Sequence, residues 1–257
     1  QVLTTDGAGA VTFATAGGSS PDLYAANDVS ATAPSATGDN SVAIGPSSDA
    51  NSADATAFGY RSEAKASKAV AIGEGRAGGA SATAISIGTT STVYGATGVR
   101  SVAMGYQAKA TGSSSVAIGN TSVATSTSAF AVGNEASASG LRAVAIGYKA
   151  SATGSNSYSL SAYGSATRDY SATLFGAKAT ASIEGKAAYG PAYLVGQGEV
   201  QGGMLVCTVQ TTDATASTLT TTNGTAGTTN QVILPNNSAY SFSGTIIARQ
   251  QAADGSN

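Results

Sequence analysis

Down the middle of the chain an apolar–small–apolar triplet closes on a glycine, and close copies of it recur at an almost fixed spacing. Ser101-Val102-Ala103-Met104-Gly105 is one copy, and its relatives end at Gly45, Gly59, Gly73, Gly88, Gly119, Gly133, Gly147, Gly176 and Gly190. Most steps between these glycines are 14 residues, with a slip of one before Gly88 and of three before Gly105. The double step of 29 between Gly147 and Gly176 hides a degenerate copy, Tyr158-Ser159-Leu160-Ser161, with Ser161 where the glycine would stand. Self-similarity at a short fixed period predicts a solenoid rather than a globule.

Within each copy the large residues lie two apart and so share one face of a strand: Val42 and Ile44, Val70 and Ile72, Val102 and Met104, Val116 and Ile118, Val144 and Ile146. The intervening alanines, Ala71, Ala103, Ala117 and Ala145, fall on the other face. A second alternating pair follows each glycine, as in Ala108 and Ala110, Ala136 and Ala138, Ala150 and Ala152. Each unit therefore reads as two short strands, with Gly45, Gly73, Gly105, Gly119 and Gly147 at the corners. Fourteen residues close a flat, two-sided roll. The expected interior sets Val and Ile from one wall against Ala from the other, and leaves the alanine face of the Val-Ala-Ile strand to be buried against symmetry mates. About eleven rungs at one strand spacing give a rod on the order of 50 Å long.

The flanks read differently. Residues 1–37 form a β lead-in and connector: Val2 to Phe13 predicts two short strands about the Asp6-Gly7 turn, because Asp-Gly supplies the positive φ of a tight hairpin. Residues 38–196 carry the repeat, and 197–257 read as the opening of a C-terminal β domain, with strands expected at 203–210, 231–234 and 240–249. Three strands do not close such a domain, so the chain is expected to be a segment of a longer protein.

Composition narrows the classes. Only 10% of the residues are charged and the net charge is −2, against about 25% charged in an ordinary domain. The scattered basic residues offer no electrostatic footprint for nucleic acid. No apolar run is long enough for a helical membrane span, so no membrane insertion is expected of this segment. Histidine is absent, which removes Ser-His-Asp and Cys-His catalysis and imidazole metal ligands. The single cysteine, Cys207, is read as a buried strand residue. No cofactor is expected.

The copies Ser41-Val42-Ala43-Ile44-Gly45, Ser115-Val116-Ala117-Ile118-Gly119 and Ala143-Val144-Ala145-Ile146-Gly147 resemble the head repeats of trimeric autotransporter adhesins, the YadA-like family. That resemblance implies an all-β fold: a left-handed parallel β-roll of 14-residue repeats, homotrimeric, here with short non-solenoid β regions at both ends. The lead-in Leu3-Thr4-Thr5-Asp6-Gly7-Ala8-Gly9-Ala10-Val11 is similar to linkers of phage tail fibres, and Ser241 to Arg249 resembles their C-terminal domains.

Candidate chemistry is sparse. Asp49 and Glu63 occupy equivalent positions on successive rungs, where two carboxylates one strand spacing apart could act as acid and base or hold a cation. Arg61 and Lys65 stand near enough in sequence to neutralise them, which is the blander outcome. Tyr60, Tyr106 and Tyr148 each follow a repeat glycine and should project at one corner, for packing, trimer contact or stacking on sugar. A flat threonine ladder of the ice-binding kind is not expected, because the repeat strands are read as holding Ala, Val and Ile. The resulting expectation is a non-enzymatic attachment protein: a homotrimeric phage tail fibre segment, with other virion tail proteins and a host-surface receptor, glycan or outer-membrane component, as partners. A bacterial trimeric adhesin head is the alternative, and a polysaccharide-cleaving tailspike a third class.

Overall fold

The computed structural model describes residues 2–5, 11–14, 32–86, 93–190, 196–211, 215–234 and 239–247. Among them the chain is all-β. Val2–Thr5 and Val11–Ala14 pair antiparallel with Val2 opposite Ala14 and Thr5 opposite Val11, the hairpin expected of the lead-in; the turn itself lies outside the described residues.

From Ser35 onward the chain coils into a β-solenoid with two parallel walls. One wall runs from Val42–Ile44 to Ala187–Tyr189 through eleven parallel strands, and the other from Ser35–Ala36 to Thr180–Ala181 through another eleven. The register is that of the repeat: Val102 lies beside Val116, Ala103 beside Ala117 and Met104 beside Ile118. Across the opposite wall Lys109 lies beside Val123 and Ala110 beside Ala124. The degenerate copy takes its place in the series, with Tyr158 and Ser159 between Val144–Ala145 and Ala172–Thr173.

The interior departs from expectation. The alanines between the large residues face inward: Ala57, Ala71, Ala84, Ala117, Ala131 and Ala145 are 0% exposed. The valines and isoleucines face outward, with Val42 at 46%, Ile72 at 37% and Ile146 at 41%. Volume is the physical reason. Each wall contributes only two inward side chains per rung, Ser101 and Ala103 from one and Ala108 and Ala110 from the other. Methyl and hydroxymethyl groups from both sides let the walls approach closely, whereas a Val or Ile from either would hold them apart and leave voids beside every alanine.

The turns fit the same economy. Over the regular rungs a wall strand ends in a four-residue turn whose third residue is left-handed, as at Arg100 (φ 56°), Gln107 (53°), Ser114 (55°) and Thr121 (50°). The next residue closes the turn and points inward. Where it is serine, its hydroxyl donates to the carbonyl three residues back, Ser115 Oγ to Gly112 O at 2.7 Å and Ser122 Oγ to Gly119 O at 3.1 Å. Thus the buried serines carry their own acceptor, and alanine replaces them freely at Ala129, Ala136 and Ala143. Glycine is demanded at Gly119, where φ is 125° and a Cβ would come within 2.4 Å of the Gly133 carbonyl oxygen on the next rung.

Toward the C-terminal end the core turns polar. Ser159 and Thr173 are fully buried and bonded to each other, Thr173 Oγ1 to Ser159 Oγ at 3.0 Å. Gly164 makes room for them, since a Cβ there would lie 2.4–2.7 Å from the hydroxyls of Ser161, Thr173 and Ser159. Lys186 then fills the next inward position of the Val/Ile wall, for its carbonyl accepts from Ala172 N–H as the Ser171 carbonyl accepts from Tyr158 N–H. Burial holds its ammonium below the ordinary lysine pKa. Gly202–Met204 pairs antiparallel with Ala187–Tyr189 and covers the edge of the last strand of that wall.

Beyond Met204 the expected strands do not form. Residues 205–211 hold one isolated bridge, Thr208 to Thr220, and 231–234 and 239–247 have no strand pairing. Ile246 is 92% and Ile247 88% exposed. Alternation alone makes no strand without a neighbour to accept its hydrogen bonds, and this stretch has none among the described residues. Cys207 is likewise only partly buried and outside any strand.

Candidate attachment surfaces

With the interior filled by its own small side chains, the groups free to meet a partner lie on the outside of the roll. Three surfaces emerge from the repeat: two walls and a corner.

The outward positions of the Val/Ile wall form two files. One runs Ile44, Phe58, Ile72, Ile85, Met104, Ile118, Val132 and Ile146, each in register with the next. The other runs Val42, Thr56, Val70, Thr83, Val102, Val116, Phe130 and Val144, apolar but for its two threonines. All are half-buried or exposed among the described residues. At one strand spacing per rung the eight-rung band is roughly 35 Å long, and apolar surface on that scale marks an interface.

The opposite wall turns polar groups outward. Thr97, Thr111, Thr125, Ser139, Thr153 and Thr167 stand in file, each amide bonding to the alanine carbonyl of the following rung. The repeat therefore does carry a threonine ladder, on the wall read from sequence as alanine alone. At its N-terminal end Asp49 and Glu63 are register partners, adjacent as expected. Each is closed by a cation on the next rung: Lys65 pairs with Asp49, and Arg76 reaches Glu63 at 2.5 Å. The expected neutralising role of Arg61 is corrected, because its guanidinium lies over the Tyr60 ring at 5.6 Å. Two carboxylates each tied to its own cation form a salt-bridged surface ladder. Among the described residues no group of three or more His, Cys, Asp or Glu could hold a metal, and no helix is long and apolar enough to cross a membrane.

The corner that follows the Val/Ile wall presents Tyr60, Tyr106 and Tyr148, at 52, 45 and 42% exposure, as the sequence placed them. The residue after each tyrosine is left-handed and folds its side chain back along the ring. Gln107 Nε2 donates to the Tyr106 hydroxyl at 3.2 Å, and Lys149 Nζ stands 5.3 Å from the Tyr148 centroid. Tyr163, on the next rung, meets Tyr148 edge-on at 5.0 Å. Lys149 is also held by Glu135 at 3.4 Å, and the bonds to Tyr148 and Glu135 raise its pKa above the ordinary lysine value. Tyr163 did not stand out in sequence, and Asn120 and Asn134, lying between Tyr106 and Tyr148, counted there against a file of stacking rings. The signal was there in the 14-residue offset that joins Tyr106, Asn120, Asn134 and Tyr148.

A family model described as the YadA head domain repeat (2 copies) matches residues 36–62, 50–75, 96–122, 110–136 and 138–157. The roll is YadA-head-like. The matched stretches lie wholly within the parallel walls and cover less than half of the chain. No curated protein matches the chain.

Proposed function

We propose that this chain is a rod segment of a homotrimeric virion tail fibre, in which three YadA-head-like rolls bury their Val/Ile walls against one another and carry an attachment surface away from the particle. The observation behind this is the inverted apolar content of the roll. Each core methyl stabilises by about 0.8 kcal/mol and a fully buried Val or Ile by about 1.5–3 kcal/mol, yet the methyls are inside and the larger groups outside. The greater part of the hydrophobic free energy is realised only when other copies cover the wall, and three identical chains about an axis do so with closed symmetry. A stiff trimer then offers its receptor three equivalent sites, whose joint engagement multiplies affinity without new contacts.

The virion setting rests on the likeness of the Leu3 to Val11 lead-in and of Ser241 to Arg249 to tail-fibre modules. A bacterial adhesin head is the second reading, and the family match favours it. Light scattering at micromolar concentration tests the assembly: three times the 24.8 kDa chain mass is expected, and a monomer overturns the fibre. Peptide mass spectrometry on virus-like particles and on bacterial outer membranes separates the settings. Ala143 to Lys149 should concentrate in the particles, and enrichment in the membranes would replace the virion reading with the adhesin one.

A further inference from the structure

The corner file Tyr106, Asn120, Asn134 and Tyr148 has the composition and spacing of a binding stripe. Its members occupy four successive rungs, because the following residue of each rung bonds back to the corner carbonyl before it. Thr121 N–H reaches Tyr106 O at 2.8 Å, Glu135 N–H reaches Asn120 O at 2.9 Å and Lys149 N–H reaches Asn134 O at 3.0 Å. At one strand spacing per rung the file spans roughly 15 Å. All four side chains are exposed. The side-chain amides of Asn120 and Asn134 make no hydrogen bond among the described residues, although the corner equivalents around them are engaged. Tyr106 is steered by Gln107, and Tyr148 by Lys149 and the edge of Tyr163, so both rings are pre-positioned while keeping over 40% of their surface open.

We propose that this file binds an extended neutral oligosaccharide lying along the fibre axis. The inference deepens the attachment reading and rests on it. A tyrosine ring offers an apolar face with a polar tip, suited to the C–H face of a pyranose and its rim of hydroxyls. A free carboxamide offers donors and an acceptor side by side, the complement of two adjacent hydroxyls. The order ring, amide, amide, ring repeats at the strand spacing, which is comparable to the rise per sugar in an extended glycan, so four successive residues meet four successive side chains. The neighbouring charges, Lys149 and Glu135, are paired to each other, which favours an uncharged chain over an acidic one. One residue wide on a convex corner, the file is far narrower than the roughly 800 Å² a protein partner needs on each side. Tyr60 stands at the same corner without this context, between Pro46 and Glu74 in the 14-residue series, and so serves as the control.

Affinity electrophoresis of the intact chain in gels containing dextran, mannan, laminarin or galactomannan tests the proposal. Retardation by at least one is expected, weakened tenfold or more in Tyr106→Ala/Tyr148→Ala and in the near-isosteric Asn120→Asp/Asn134→Asp, and unchanged in Tyr60→Ala. Circular dichroism and mass measured on each variant exclude misfolding as the cause of a loss. Retardation by none of the four, or retardation retained in both double variants, overturns the glycan file. A trimer that is not retarded leaves the fibre reading standing, whereas a monomer removes that reading whatever the gels show.

Discussion

The wall from Val42–Ile44 to Ala187–Tyr189 turns mainly Val, Ile, Met and Phe outward, with Thr56, Thr83 and Tyr158 among them; the wall from Ser35–Ala36 to Thr180–Ala181 turns out mainly Ser, Thr, Lys, Arg, Asp and Glu, with Val123 among them. Inside, the two are interchangeable, with the same Ser-or-Ala and Ala positions on every rung from Ser101 to Ala152. Both have the same parallel ladder and, over the regular rungs, the same left-handed turn residue after the strand. The fold therefore does not decide which wall is apolar. A solenoid that needed only to fold could turn polar groups outward on both sides, as the Ser/Thr wall does, so the apolar band is there for something outside the chain.

The largest effect should come from charging that band. Ile118→Asp puts a carboxylate where three copies are proposed to meet, and an unpaired buried charge is too costly to keep. The expected result is dissociation, read as a threefold fall in mass by light scattering, while Thr125→Asp on the other wall leaves the mass unchanged. Equal behaviour of the two variants would break the distinction between the walls.

Next in size is a test of their sameness inside. Ala117 and Ala124 are both 0% exposed, one from each wall. Leucine at either forces the walls apart, and overpacking of this kind costs about 1–3 kcal/mol or more, a fall of several degrees in melting temperature for a chain of this size. Ala117→Leu and Ala124→Leu should melt early by similar amounts. A large loss from one and none from the other would mean that the interior is not shared equally.

That interior was the part of the fold least legible in sequence. The 14-residue period, the paired strands, the register of Asp49 beside Glu63 and the corner placement of the tyrosines all follow from counting. Which face of Val-Ala-Ile points inward does not, because both faces are apolar and alternation gives no preference between them. The deciding signal is an alanine every seven residues, Ala103, Ala110, Ala117, Ala124, Ala131, Ala138, Ala145 and Ala152. Only an interior shared by two equivalent walls requires one small residue at half the repeat. The C-terminal stretch failed for the opposite reason: Tyr240 to Ile247 alternates well, but pairing depends on a partner that alternation does not reveal.

The walls also end differently, which permits a smaller test. The last strand of the polar wall keeps Ala179 and Ala181 inside, whereas the other has Lys186 before Ala188. Burial lowers the Lys186 pKa, so between that lowered value and the ordinary lysine value the folded chain holds fewer protons than the unfolded one. Stability contributed by this site therefore rises with pH across that alkaline window. Lys186→Met should raise the melting temperature at neutral pH by at most the equivalent of about 1 kcal/mol, because the ammonium keeps part of its hydration, and should flatten the alkaline rise. An unchanged pH profile would show that the lysine escapes to water.

The smallest expected effect lies in the turns that carry the chain from one wall to the other. Thr121 is β-branched yet sits at φ 50°, a region that costs an L-residue about 1–2 kcal/mol and that asparagine tolerates. Its hydroxyl recovers part of this by donating to the Asn120 carbonyl at 2.9 Å. Thr121→Asn should stabilise by up to about 1 kcal/mol, measured as a rise in melting temperature. Thr125→Asn, just after the Val123–Ala124 strand of the polar wall, relieves no left-handed backbone and gains nothing. If both substitutions raised stability alike, the benefit would belong to surface polarity in general, and the left-handed corner would not be a source of strain in this roll.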